Sequence, residues 1–199
     1  MPIKFQYNKT YLHQLGKELK IRVNALPTLV AKESALRLEV KTARAELQAV
    51  EQELKKKLEA LSVMERLWPE FDFNLTQVAD IIQGVRKIAG VKTPILERVR
   101  FEEKTFSLFG RPAWTAYGID MLKSVLTLRI KKALATQKLE ILEYARKKTT
   151  QKVNLYEKVQ IPDYQDAIRR IKRFLEDEDN LAKSSQKILK ARLQAAEAA

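Results

Sequence analysis

The chain has 199 residues, with a single histidine and no cysteine. One histidine, His13, cannot supply the several nitrogen or sulfur ligands that a zinc site requires. Without thiols there is no disulfide and no thiolate nucleophile, which suits a reducing compartment. The stretch "GVRKIAG" (84–90) mixes glycines with cations but lacks the order of a phosphate-binding loop. The run "LEDEDN" (175–180) gathers carboxylates without the glycine and ligand spacing of a calcium loop, so it reads as a solvated helix face. No catalytic residue, cofactor site or metal site is expected, and the chain reads as a non-enzyme.

Charge is the stronger signal. Lys and Arg number 38 against 25 Asp and Glu, a net charge of +13. Residues 1–66 hold 13 basic against 8 acidic side chains, residues 67–112 hold 7 against 6, and residues 113–199 hold 18 against 11. The excess therefore lies on the two flanks, with "RRIKR" (169–173) as its densest run. Such a surface suits an acidic protein partner or a polyanion. Binding of nucleic acid by a basic coiled-coil arm is the alternative reading. However, no aromatic interleaving or groove-reading motif accompanies the charge.

These side chains must be carried by long helices. A heptad ladder runs Leu12, Leu15, Leu19, Arg22, Leu26, Leu29, Glu33, Leu36, Val40, Ala43, Leu47, Val50, Leu54, Lys57, Leu61, Met64 and Trp68, apolar except at Arg22, Glu33 and Lys57. A repeat sustained this long specifies a coiled coil about 85 Å in length. Pro69 is expected to end it. Four of the five glycines then fall within 84–118. Residues 69–112 are read as a small head, with a short helix through Asp80–Gly84 and strands near 85–89 and 95–102 joined by a Gly/Pro turn.

The helical pattern returns at Ala113. Its seam carries Met121, Val125, Leu128, Ala135, Leu139, Leu142, Val153 and Tyr156, with Lys132, Arg146 and Thr149 as polar exceptions. Continuing that register predicts apolar residues at 160 and 163, yet they stand at Ile161 and Tyr164. The seam slips by one residue beside Pro162. A bend or bulge is expected over 157–162, with a milder one at 23–27 around Pro27.

The expected fold is mainly α: a long antiparallel two-helix coiled coil with a small hairpin-bearing insert at one end. Its parts are a first arm (1–68), the insert (69–112) and a longer second arm (113–199). Facing residue numbers should sum to about 189, which sets Pro27 opposite Pro162. A self-associating coiled coil is a further option. No apolar run reaches the length of a membrane span, so no direct membrane insertion is expected.

The second arm, "KVNLYEKVQIPDYQDAIRRIKRFLEDEDN", resembles the D subunit of the V-type and A-type rotary ATPases and ATP synthases. The motif is a basic residue, Val153–Asn154, Glu157, Ile161–Pro162, isoleucines at helical spacing and an acidic run. Tyr164 stands where that family usually has an aliphatic residue. "NKTYLHQLGKELK", "LPTLVAKESAL" and "SLFGRP" match more loosely.

The resemblance implies a central rotor shaft (central stalk) without nucleotide contacts of its own. Its implied partners are the nucleotide-binding subunits of the catalytic head, a small companion subunit and a funnel-shaped subunit seated on the membrane rotor ring. The implied location is cytoplasmic and peripheral to the membrane. Arg22, Arg169, Arg170, Lys172 and Arg173 would face the head. Ile95, Val99, Phe101, Phe106 and Leu108 would face the companion. Pro27 and Pro162 would give the shaft its curvature.

Overall fold

The computed structural model describes residues 6–105, 107 and 110–197. The elements are α1 (Lys9–Val63), β1 (Thr76–Ile88), β2 (Val91–Glu103), α2 (Thr115–Leu155) and α3 (Ile161–Glu197). Two 3-10 turns, Trp68–Glu70 and Phe73–Leu75, precede β1, and a π-helical turn, Tyr156–Gln160, joins α2 to α3. Two compact units result, one of residues 1–31 and 149–199, the other of residues 32–148.

Helix α1 starts at Asn8, whose side-chain oxygen accepts the Tyr11 backbone N–H at 2.6 Å. Its buried apolar residues are Leu15, Leu36, Val40, Ala43 and Leu54, all on the heptad ladder. Apolar residues off the ladder, Ile21 and Leu38, stay exposed. Pro27 lies inside α1 without a break, so no bulge forms at 23–27. One proline removes one backbone bond, and the turns on either side hold the helix. The Thr28 hydroxyl also donates to the Ala25 carbonyl at 2.7 Å.

In the unit of residues 32–148, Leu36, Val40 and Ala43 of α1 pack with Leu139, Leu142 and Ala145 of α2. Further along, Leu54 and Leu61 meet Val125 and Leu128. Lys138 pairs with Glu46 at 2.7 Å and Lys132 with Glu51 at 3.0 Å. Partner numbers thus fall along α2 as they rise along α1. Lys132, a polar exception on the seam, is accounted for by Glu51.

The insert departs from expectation. The short helix over Asp80–Gly84 is absent, because those residues belong to β1. The strands are 13 residues each and pair antiparallel from Thr76↔Glu103 to Ile88↔Val91. Register shifts at Val78/Asp80 and Ile82/Gln83 interrupt the alternation that would reveal a strand. The turn is Ala89–Gly90, both at positive φ (48° and 80°), as a two-residue type I′ hairpin turn requires. Pro94 lies within β2 opposite Val85 and not in the turn. That pair is three residues from the turn, where a strand N–H points outward, so proline costs no ladder bond. The hairpin tip does not stand apart as a head: Ile88, Ala89 and Val91 pack onto the Leu36–Leu142 cluster.

At the other end of this unit, α1 stops at Val63, before Trp68. The chain turns so that Phe71 and Leu75 bury against Ile119, with Trp68, Trp114 and Leu122 around them. Ring centroids of Trp68, Phe71 and Trp114 lie 5.2–5.7 Å apart. Gly118 makes this cluster possible. A Cβ there would meet ring carbons of Phe71 and Trp114 at 2.9 Å.

In the unit of residues 1–31 and 149–199, Leu15 packs with Tyr164, Ala167 and Ile171. Leu12, Leu19, Ile168 and Leu175 flank them. Beyond Leu175 every residue of α3 whose side chain is described is exposed, including Leu181, Ile188, Leu189 and Leu193.

Gly118 and Gly16 provide a paired test. Alanine normally stabilises a helix interior over glycine by about 1 kcal/mol. A Cβ at Gly16 would meet nothing within 4 Å, so Gly16→Ala should gain about that amount. Gly118→Ala should reverse the sign and lose about 1–3 kcal/mol through overpacking. Urea denaturation followed by circular dichroism measures both, and a stabilised Gly118→Ala protein would contradict the packing.

Candidate functional site

The seam slip seen in the sequence coincides with the π turn. The Ile161 N–H donates to the Tyr156 carbonyl, five residues back. A π turn takes up one more residue than an α turn, so it shifts the apolar stripe by one position. Ile161 and Tyr164 therefore continue the seam of Val153 and Tyr156. Pro162 has no N–H to donate, and its ring crowds the carbonyl four residues before it. The wider turn leaves room for that ring.

A polar cluster lies beside the turn. Arg22 Nε donates to Gln160 Oε1 at 2.9 Å, and its Nη1 donates to the Glu18 carbonyl at 3.0 Å. The Tyr164 hydroxyl donates to Glu18 Oε2 at 2.5 Å. The Arg22 guanidinium sits 4.3 Å above the Tyr164 ring. Both cross-helix pairs, Arg22–Gln160 and Glu18–Tyr164, have residue numbers summing to 182, seven below the expected 189. That expectation set Leu67 beside Leu122, but α1 ends before Leu67. Pro162 is therefore level with about residue 20, not with Pro27.

The Tyr164 hydroxyl is the main reason the Glu18 carboxyl is held below its ordinary value of 4.5, against an opposing effect of burial. Burial, then the bond to Glu18, raises the Tyr164 phenol above its ordinary 10.0. Arg22, read as facing a partner, is thus committed within its own unit. Arg169, Arg170, Lys172 and Arg173 are exposed on α3, with Arg169 paired to Asp166. Lys172 also lines an open groove with Lys9, His13, Lys17 and Lys20.

On the hairpin, Ile95 is exposed opposite Gly84, while Val99 and Phe101 are half-buried opposite Ile81 and Val78. Phe106 and Leu108 lie outside the described residues. Glu18, Gln160 and Tyr164 were not singled out from the sequence as site residues. The available signals were the four-residue spacing of Glu18 and Arg22 and a tyrosine at a core position.

The family described as the D subunit of ATP synthase matches residues 11–191. The chain belongs to that family. The D subunit of the V-type ATP synthase of Borreliella burgdorferi is 30% identical over 192 residues, covering 96% of this chain and 95% of the relative. Its counterpart in Chlamydia muridarum is 30% identical over 175 residues, covering 85% and 86%. The counterpart in Chlamydia pneumoniae is 26% identical over 160 residues, covering 76% and 75%. All three relatives are named as D subunits of a V-type ATP synthase. Among the described residues no helix is long and apolar enough to cross a membrane.

The Tyr164–Glu18 bond gives the protein a predicted pH signature. The lowered Glu18 pKa adds stability that is present above about pH 4.5 and lost as pH falls through the folded-state value. The raised Tyr164 pKa adds stability below about pH 10 that is lost as pH rises through its folded value. Tyr164→Phe should lower unfolding free energy at neutral pH by about 1 kcal/mol. It should also flatten the acid limb. Urea titrations at a series of pH values check this; an acid limb as steep as wild type would show that the hydroxyl does not hold Glu18.

Proposed function

We propose that this chain is the non-catalytic central shaft of a V/A-type rotary ATPase/ATP synthase, carrying torque between the nucleotide-binding head and the membrane ion-translocating ring. The observation that carries this reading is the C-terminal stretch of α3. Leu181 is 69% exposed and Leu189 61%, on a helix with no covering segment of its own unit among the described residues. An apolar face of that length calls for enclosure by other subunits. The head's nucleotide-binding subunits would provide it on the cytoplasmic side, with the protein peripheral to the membrane.

Torque requires helices that cannot slide past one another. An antiparallel coiled coil supplies that resistance through interlocked side chains. The hydrogen bonds from Arg22 to Gln160 and from Tyr164 to Glu18 would add directional locks. Local distortion at Pro162 would make the shaft asymmetric, so that each head site meets a different surface in turn. Arg169, Arg170, Lys172 and Arg173 serve as head contacts in this reading, and Arg22 acts indirectly by holding α1 to α3. Ile95, Val99 and Phe101 face the small companion subunit, with the funnel-shaped subunit beyond.

The nucleic-acid alternative gains nothing from the charge distribution. Some of the cations are paired within the chain, as in Lys132–Glu51, Lys138–Glu46 and Arg44–Glu143.

Changing Arg169, Arg170 and Arg173 together to Glu should weaken binding to the purified catalytic head by about tenfold or more, as expected for several reversed charges. Circular dichroism should show helix content unchanged. Unaltered head affinity would remove these residues from the interface.

A further inference from the structure

We infer that the unit of residues 32–148 carries a binding groove for a phosphate chain, centred on Arg146. Arg146 lies on the α2 seam, next to the buried Leu142 cluster, where an aliphatic residue would ordinarily pack. Its Nε–H is buried and has no hydrogen-bond partner. A buried donor without an acceptor costs stability.

The facing stripe of α1 brings Arg37, Lys41 and Arg44 to the same place. Together with Val40, Ala45, Gln48 and Arg146 they line a groove of about 400 Å³. Two carboxylates serve these four cations: Glu33 pairs with Arg37, and Glu143 with Arg44. No carboxylate among the described residues lies within salt-bridge distance of Lys41 or Arg146. The seam's other cation, Lys132, shows the contrast, since Glu51 meets it directly. The groove thus keeps an excess of two positive charges on a partly apolar floor.

The geometry favours a chain of phosphates over a single small anion. Positions 37, 41 and 44 follow one helix face and span about 10 Å. Planar guanidinium groups bind phosphate oxygens through paired hydrogen bonds, and the lysine adds a point charge. The phosphate chain could come from free pyrophosphate or from a nucleotide. This inference does not depend on the rotary reading, because it concerns a groove formed within this chain.

The test uses the full chain and thermal unfolding followed by circular dichroism. Pyrophosphate and ADP are titrated separately against sodium chloride at matched ionic strength. Pyrophosphate should raise the midpoint in a saturable way beyond the chloride control. A matching shift with ADP assigns the groove to nucleotide phosphates, and a shift with pyrophosphate alone assigns it to free polyphosphate. Arg146→Met keeps the aliphatic stem and removes the guanidinium, and should weaken pyrophosphate binding by about tenfold or more. Lys41→Gln, at an exposed position, should weaken it severalfold without loss of folding. A chloride control that reproduces the shift, or wild-type affinity in both variants, would overturn the inference.

Discussion

A helix that buries one stripe must keep that stripe in phase, and much of this structure depends on how phase is kept past Pro162. A proline alone would leave the seam of Val153 and Tyr156 pointing away from Ile161 and Tyr164. The π turn at Tyr156–Gln160 takes up one extra residue and restores the phase. The same turn accommodates the proline ring. The core of Leu15, Tyr164, Ala167 and Ile171 can form because of it.

The polar cluster beside the turn holds that solution in place. Apolar packing tolerates slippage along a helix pair, since one aliphatic contact resembles the next. The bonds from Arg22 to Gln160 and from Tyr164 to Glu18 are directional and exist in one register only. Tyr164 does two jobs: its ring fills a core position under the Arg22 guanidinium, and its hydroxyl reaches Glu18. An aliphatic residue at this position would supply the first and lose the second.

The hairpin follows a different logic. Its two register shifts compensate, so the pairs at either end, Thr76↔Glu103 and Ile88↔Val91, keep the same offset. Each shift bends and twists the ladder locally. The tip thereby closes onto the Leu36–Leu142 cluster, while Lys123 of α2 reaches Glu103 at the base at 2.5 Å. The aromatic cluster of Trp68, Phe71 and Trp114 seals the turn after α1, and it needs Gly118 to do so.

The heptad ladder of α1, the seam of α2 and the one-residue slip before Pro162 were legible because helical periodicity is written directly into residue spacing. The family resemblance was legible for the same kind of reason, through the Val153–Asn154 and Ile161–Pro162 motif. The strand over Asp80–Gly84 was not, because a bulge erases the two-residue alternation that marks a strand. Nor was the end of α1 legible, since burial of Phe71 against Ile119 outcompetes further helix. By itself the sequence determined most of each buried stripe, while Leu134 and Ala167 are buried off the positions that spacing marked. Only the tertiary structure decided the register between stripes, the inward commitment of Arg22 and the unpaired Nε–H of Arg146. Those outcomes depend on which side chain across the gap meets each one, and spacing along a single chain carries no information about that distance.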